Sequence, residues 1–127
     1  MSSSLKTSVP ATDNGYYGII SLSDNHQLFH SALTGVGYDG IPRDNATLYV
    51  YDPQLLAQDE ITVYLQIVSE GGDTITLSTA AGSMPYTAAA GNSWIQAVIT
   101  VPKDTTKLPI SIDSLNGTAS IQTYMVK

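Results

Sequence analysis

Hydrophobic and polar residues alternate with a period of two along most of the chain beyond residue 46, the spacing of half-buried strands. Over residues 46–51, Leu48 and Val50 fall on one face and Thr47, Tyr49 and Tyr51 on the other. Residues 60–68 carry the clearest pattern, with Ile61, Val63, Leu65 and Ile67 opposite Thr62, Tyr64 and Gln66. Residues 73–79 return with Ile75 and Leu77 inward, after Gly71 and Gly72, which supply the positive-φ turn of a hairpin. Residues 93–101 alternate through Ile95, Ala97, Ile99 and Val101 until Pro102, which cannot donate to a sheet ladder, ends the strand. Residues 108–115 and 118–126 flank Asn116-Gly117, the strongest two-residue hairpin signal in the chain. The short apolar run at 17–22 makes seven strand candidates.

Helical signals are few. Asp24 is placed to cap a turn over residues 25–33, with Gln27 at its third position and Gly35 as a stop, and Asp52-Pro53 opens one turn through Leu56. The small residues of 79–91 read as a loop. Neither helical segment is long enough to cover a sheet, so the core has to come from sheet against sheet. The expected fold is all-β: a two-sheet antiparallel β-sandwich, jelly-roll-like, over residues 16–127. Residues 1–15, rich in Ser, Thr, Asn, Pro and Gly, read as an extended N-terminal arm, with Leu5 and Val9 the expected apolar pegs for a neighbouring subunit.

Composition narrows the function classes. Charged residues make up 13% of the chain, about half the usual share, and 28 Ser and Thr stand in their place. The net charge is -6, and the five cations (Lys6, Arg43, Lys103, Lys107 and Lys127) are scattered. That excludes the basic patch needed to displace counterions from nucleic acid or to hold an anionic membrane. The absence of cysteine removes disulfides, thiol catalysis and Cys-based zinc sites. The start of the sequence lacks the apolar core of a secretory signal, so the expectation is synthesis in the cytoplasm without a signal peptide.

No catalytic constellation is visible. G-x-S-x-G and phosphate-loop patterns are missing, and Gly91-Asn92-Ser93-Trp94 only imitates the start of the first. His26 and His30 are four apart, a metal-ligand spacing, but no third ligand joins them. Asp39, Asp44 and Asn45 offer calcium-type oxygens in a turn-rich segment without the ordered spacing of a calcium loop, and are what tight turns require in any case. No enzyme, cofactor or metal is expected.

The aromatic residues are the informative chemistry. Tyr49, Tyr51, Tyr64, Trp94 and Tyr124 alternate out of phase with the aliphatic rows and are expected on outward strand faces, with Tyr38 in a loop. Outward aromatics suit a subunit interface or stacking against sugar rings. For sugars, Tyr38 and Trp94 are the expected platforms, with Asp39 and Asn45 as polar partners.

The stretch Ser93-Trp94-Ile95-Gln96-Ala97-Val98-Ile99-Thr100-Val101-Pro102, followed by residues 108–113 and Asn116-Gly117, resembles the last strands of jelly-roll carbohydrate-binding modules. The resemblance implies the sandwich fold and carries no binding residue across. Two functions are therefore expected from the sequence. The first is a non-enzymatic assembly subunit, such as a capsid decoration or other virion protein, forming a homo-oligomer (a trimer) within a larger particle. The alternative is a carbohydrate-binding module or lectin.

Overall fold

The computed structural model describes residues 28–127. Leu5, Val9, Asp24, His26 and the apolar run at 17–22 lie outside the described residues. Strands β1 (Ser31–Val36) and β2 (Pro42–Tyr51) precede a 3₁₀ turn (Pro53–Ala57). Then come β3 (Glu60–Ser69), β4 (Asp73–Thr79), β5 (Gly82–Ala88), β6 (Gly91–Thr100), β7 (Lys107–Ser114) and β8 (Ser120–Val126). They form two antiparallel sheets, a five-stranded one in the order β1-β2-β7-β4-β5 and a three-stranded one in the order β6-β3-β8. The fold is an all-β sandwich.

The aliphatic rows legible in the sequence fill the space between the sheets. Leu48, Val50, Ile75, Leu77, Ile110 and Ile112 from the larger sheet meet Ile61, Val63, Leu65, Ile67, Ala97 and Ile99 from the smaller, all buried. Burying each large aliphatic side chain contributes about 1.5–3 kcal/mol, which is what holds the two sheets together. The 3₁₀ turn sits where Asp52-Pro53 predicts it: the Asp52 carboxylate caps it through the Gln54 amide at 2.9 Å, and Leu55 plugs the core.

Four expectations are corrected. First, the described part of the 25–33 helix is extended: Ser31 to Thr34 pair with Val50 to Thr47, and this ladder overrides the local capping signal. Second, residues 82–88 are a strand, not a loop. β5 pairs with β4 along its whole length and turns Met84 and Tyr86 inward, a pattern diluted in the sequence by Gly, Ser, Pro and Ala. Third, the glycine-marked turns at Gly71-Gly72 and Asn116-Gly117 close no hairpins. β3 and β8 belong to the smaller sheet, β4 and β7 to the larger, so both turns carry the chain from one sheet to the other.

The fourth correction concerns Tyr124. Gln66 pairs with Thr123 but Ile67 pairs with Ile121, leaving Gln122 as an extra residue in a β-bulge. The bulge inverts the alternation downstream, so Tyr124 lies beside Leu65 and is buried in the core instead of facing outward.

Candidate functional site

The remaining predicted aromatics divide between opposite sides of the sandwich. Tyr49 and Tyr51 stand on the outer face of the five-stranded sheet, where Tyr49 pairs with Pro109 and Ala32 and lies under the Lys107 ammonium at 5.2 Å. Tyr51 stacks with the His30 ring at 6.2 Å. A row of hydroxyls crosses the same sheet: Thr34, Thr47, Ser111, Ser78 and Ser83 are successive register partners through all five strands.

Tyr64 and Trp94 stand on the outer face of the three-stranded sheet. The long, unbroken β3–β6 pairing arranges this face in rows. Val68 pairs with Asn92, Gln66 with Trp94, Tyr64 with Gln96, and Thr62 with Val98. Each row joins one apolar side chain to one uncharged polar one, and the apolar member changes strand at every row: Val68 on β3, Trp94 on β6, Tyr64 on β3 and Val98 on β6. Trp94 and Tyr64 occupy one diagonal of the central square, the carboxamides of Gln66 and Gln96 the other. Diagonal partners of this kind lie within reach of large side chains. Val68, Trp94 and Val98 are 39%, 38% and 50% exposed, so three apolar residues of one face meet solvent. Tyr64 is half-buried, with the Lys127 ammonium 5.5 Å from its ring centroid.

Tyr38 lies elsewhere, fully exposed in the β1–β2 loop. This loop is tied down at both levels of its chemistry. The Asp39 carboxylate accepts from the Ile41 amide at 3.0 Å and from Arg43 at 3.2 Å, and these contacts, the Ile41 amide first, hold its carboxyl below the usual range. The backbone is anchored to β8, where Ser120 Oγ donates to the Asp39 carbonyl at 2.7 Å and the Ile121 amide to the Gly40 carbonyl at 2.8 Å. Beside Tyr38 opens a cleft of about 260 Å³ lined by Leu33, Val36, Gly37, Gly40 and Ile121.

The expected Tyr38–Trp94 pairing is thus not formed by one surface: Tyr38 is in a loop beyond β8, Trp94 on the far strand β6 of the same sheet. Asp39 is committed to Arg43, while Asp44 and Asn45 are exposed on β2. His30 Nδ1 faces Asp52 at 3.3 Å. Among the described residues no three His, Cys, Asp or Glu side chains cluster as a metal site.

Sequence reasoning missed Gln66, Gln96, Val68 and Val98 as members of a site. Their signal was present, since residues two apart on a strand share a face, but the pairing partner of β3 was not known. It also missed Asp73, which the burial of β4 places inside the sandwich. Asp73 accepts from Ser114 Oγ, from the Asn116 and Thr118 amides at 2.8 and 3.1 Å, and from the Thr74 amide at 2.8 Å. Burial pushes its carboxyl up, but these hydrogen bonds outweigh it and bring the pKa down to about 2.

No protein-family model matches the chain, and no curated protein matches it. Among solved structures it is similar to a carbohydrate binding module (CBM6cm-2) from Cellvibrio mixtus lichenase 5A in complex with cellotriose. The identity is 10%, the match covers 80% of this chain and 88% of that chain, and the TM-score is 0.44.

Proposed function

We propose that the protein is a carbohydrate-binding module whose binding surface is the outer face of the three-stranded sheet. The observation that carries this reading is the central square of Trp94, Gln66, Tyr64 and Gln96. A pyranose ring has an apolar C–H face and a polar hydroxyl edge. Exposed aromatic rings offer the first a stacking surface. Carboxamides beside them offer both a donor and an acceptor to the second. The strands fix both kinds of group in advance, which lowers the ordering cost of binding.

Affinity electrophoresis through gels containing neutral polysaccharides tests the proposal. Retardation by at least one of them, abolished in Trp94→Ala and weakened in Gln66→Ala, is the expected result. Unretarded migration in every gel, confirmed by a blank glycan array, would sink it.

A second reading, an assembly subunit such as a virion protein, draws on the exposure of Val68, Trp94 and Val98 on one face. It requires this face to meet another polypeptide. Sedimentation of the full chain as a monomer at all accessible concentrations, with no particle co-purifying, would retire it.

A further inference from the structure

We infer that the ligand of this face is an uncharged, extended glycan lying along the β3–β6 pair and engaging more than two sugar units, an inference that rests on the carbohydrate-binding reading. Its basis is the run of rows beyond the central square. Val68 with Asn92 at one end and Thr62 with Val98 at the other repeat the pairing of one apolar with one polar side chain. Rows two residues apart are about 6.8 Å from one another along the strands, so the four together extend roughly 20 Å. A single ring covers only the central square. A chain of rings alternates its apolar faces and hydroxyl edges along its length, and it meets the outer rows as well as the inner ones.

Charge selects the class of glycan. None of the eight side chains in the four rows carries a carboxylate, ammonium, guanidinium or imidazole group. On the neighbouring strand, Ser120, Thr123 and Met125 continue these rows and are uncharged as well. Among the described residues the cation near the face is Lys127, over Tyr64, and the next row beyond Val98 holds Glu60 opposite Thr100. A uronate or sulfate polymer would find that one ammonium at one end, a carboxylate beside it and a chain of net charge -6. A neutral polymer loses nothing to that field.

Calorimetric titration of the full chain with neutral gluco- and xylo-oligosaccharides from disaccharide to tetrasaccharide, and with an oligogalacturonate, tests this. In at least one neutral series affinity should rise by about tenfold or more from disaccharide to tetrasaccharide and change little between low and high salt. Val98→Asp should weaken the tetrasaccharide by roughly tenfold while leaving the disaccharide within about twofold. Circular dichroism on the same variant checks that the sheet is intact, and Val98→Thr is the milder replacement if it is not.

Preference for the oligogalacturonate, affinity that falls steeply with salt, or affinity flat in chain length would each overturn the inference while the carbohydrate-binding reading stood. Failure of every saccharide to bind would remove that reading first. Dimerisation that Trp94→Ala disperses would show the face covered by a second copy, and would overturn the inference too.

Discussion

The carboxylate of Asp73, the first residue of β4, accepts a hydrogen bond at 2.8 Å from the backbone amide of Asn116, 43 residues further along the chain. Ser114 and Thr118 on either side of that turn donate to the same carboxylate. One buried charge therefore fixes the crossing from β7 in one sheet to β8 in the other. Asp73→Asn keeps the shape but points an amide N–H into a nest of donors. Chemical denaturation should show a loss of roughly 2–3 kcal/mol. An unchanged unfolding midpoint would mean the turn holds itself.

The same site sets an acid limit. The folded-state pKa of Asp73, about 2, lies below the ordinary carboxylate value of 3.8. Its contribution is therefore fully present above about pH 4 and is lost as pH falls through the folded value. Thermal unfolding of the wild-type chain should weaken between about pH 4 and 2, and the Asp73→Asn chain should show a shallower slope over that window. Parallel slopes would assign the acid sensitivity to other carboxylates.

Alternation in the sequence predicts which residues face inward on β2, β3, β4, β6 and β7, because burial on one face imposes a period of two. It is silent about which strands pair. Gly71-Gly72 and Asn116-Gly117 have the backbone freedom of hairpin turns, and a turn between sheets uses the same freedom. Only the partner of the following strand distinguishes the two, and that partner is set by long-range packing. The site suffered in the same way. Trp94 was recognisable as an outward aromatic, but its neighbour Gln66 comes from a strand whose pairing no local signal specifies.

Tyr124 measures the effect of the Gln122 bulge. Unbroken alternation from Ile121 puts Tyr124 in solvent, whereas the bulge puts it against the core at 4% exposure. Tyr124→Ala should therefore cost about 3–5 kcal/mol, in the range of buried aromatic truncations. Tyr51→Ala, on an exposed ring at 47%, should cost less than about 1 kcal/mol. Urea titration of both variants makes the comparison, and equal losses would contradict the bulge.

Gly40 and Gly72 separate strain from collision. Their φ angles are nearly the same, +84° and +82°. A Cβ at Gly72 meets nothing within 4 Å, while one at Gly40 comes within 2.8 Å of the Ile121 carbonyl and 2.3 Å of Ser120 Oγ. Gly72→Ala bears the left-handed backbone alone, about 1–2 kcal/mol. Gly40→Ala must also push the β1–β2 loop off β8, so it should lose more, and amide exchange should rise at Ile121, whose N–H bonds to Gly40. Equal losses would mean the loop yields without cost.

The two outer faces give a control within one molecule. Tyr49 and Tyr51 lie on the five-stranded sheet, Tyr64 and Trp94 on the three-stranded one, with the core between them. If the glycan lies on the smaller sheet, Tyr49→Ala and Tyr51→Ala leave affinity within about twofold, because sites this far apart with no shared partners behave independently. Trp94→Ala on the same ligand should lose at least about tenfold, and Tyr64→Ala less, since its ring is half-buried and already meets Lys127. The opposite order, with Tyr49→Ala the damaging change, would move the site to the larger sheet. There the hydroxyl row from Thr34 to Ser83 would become the contact surface.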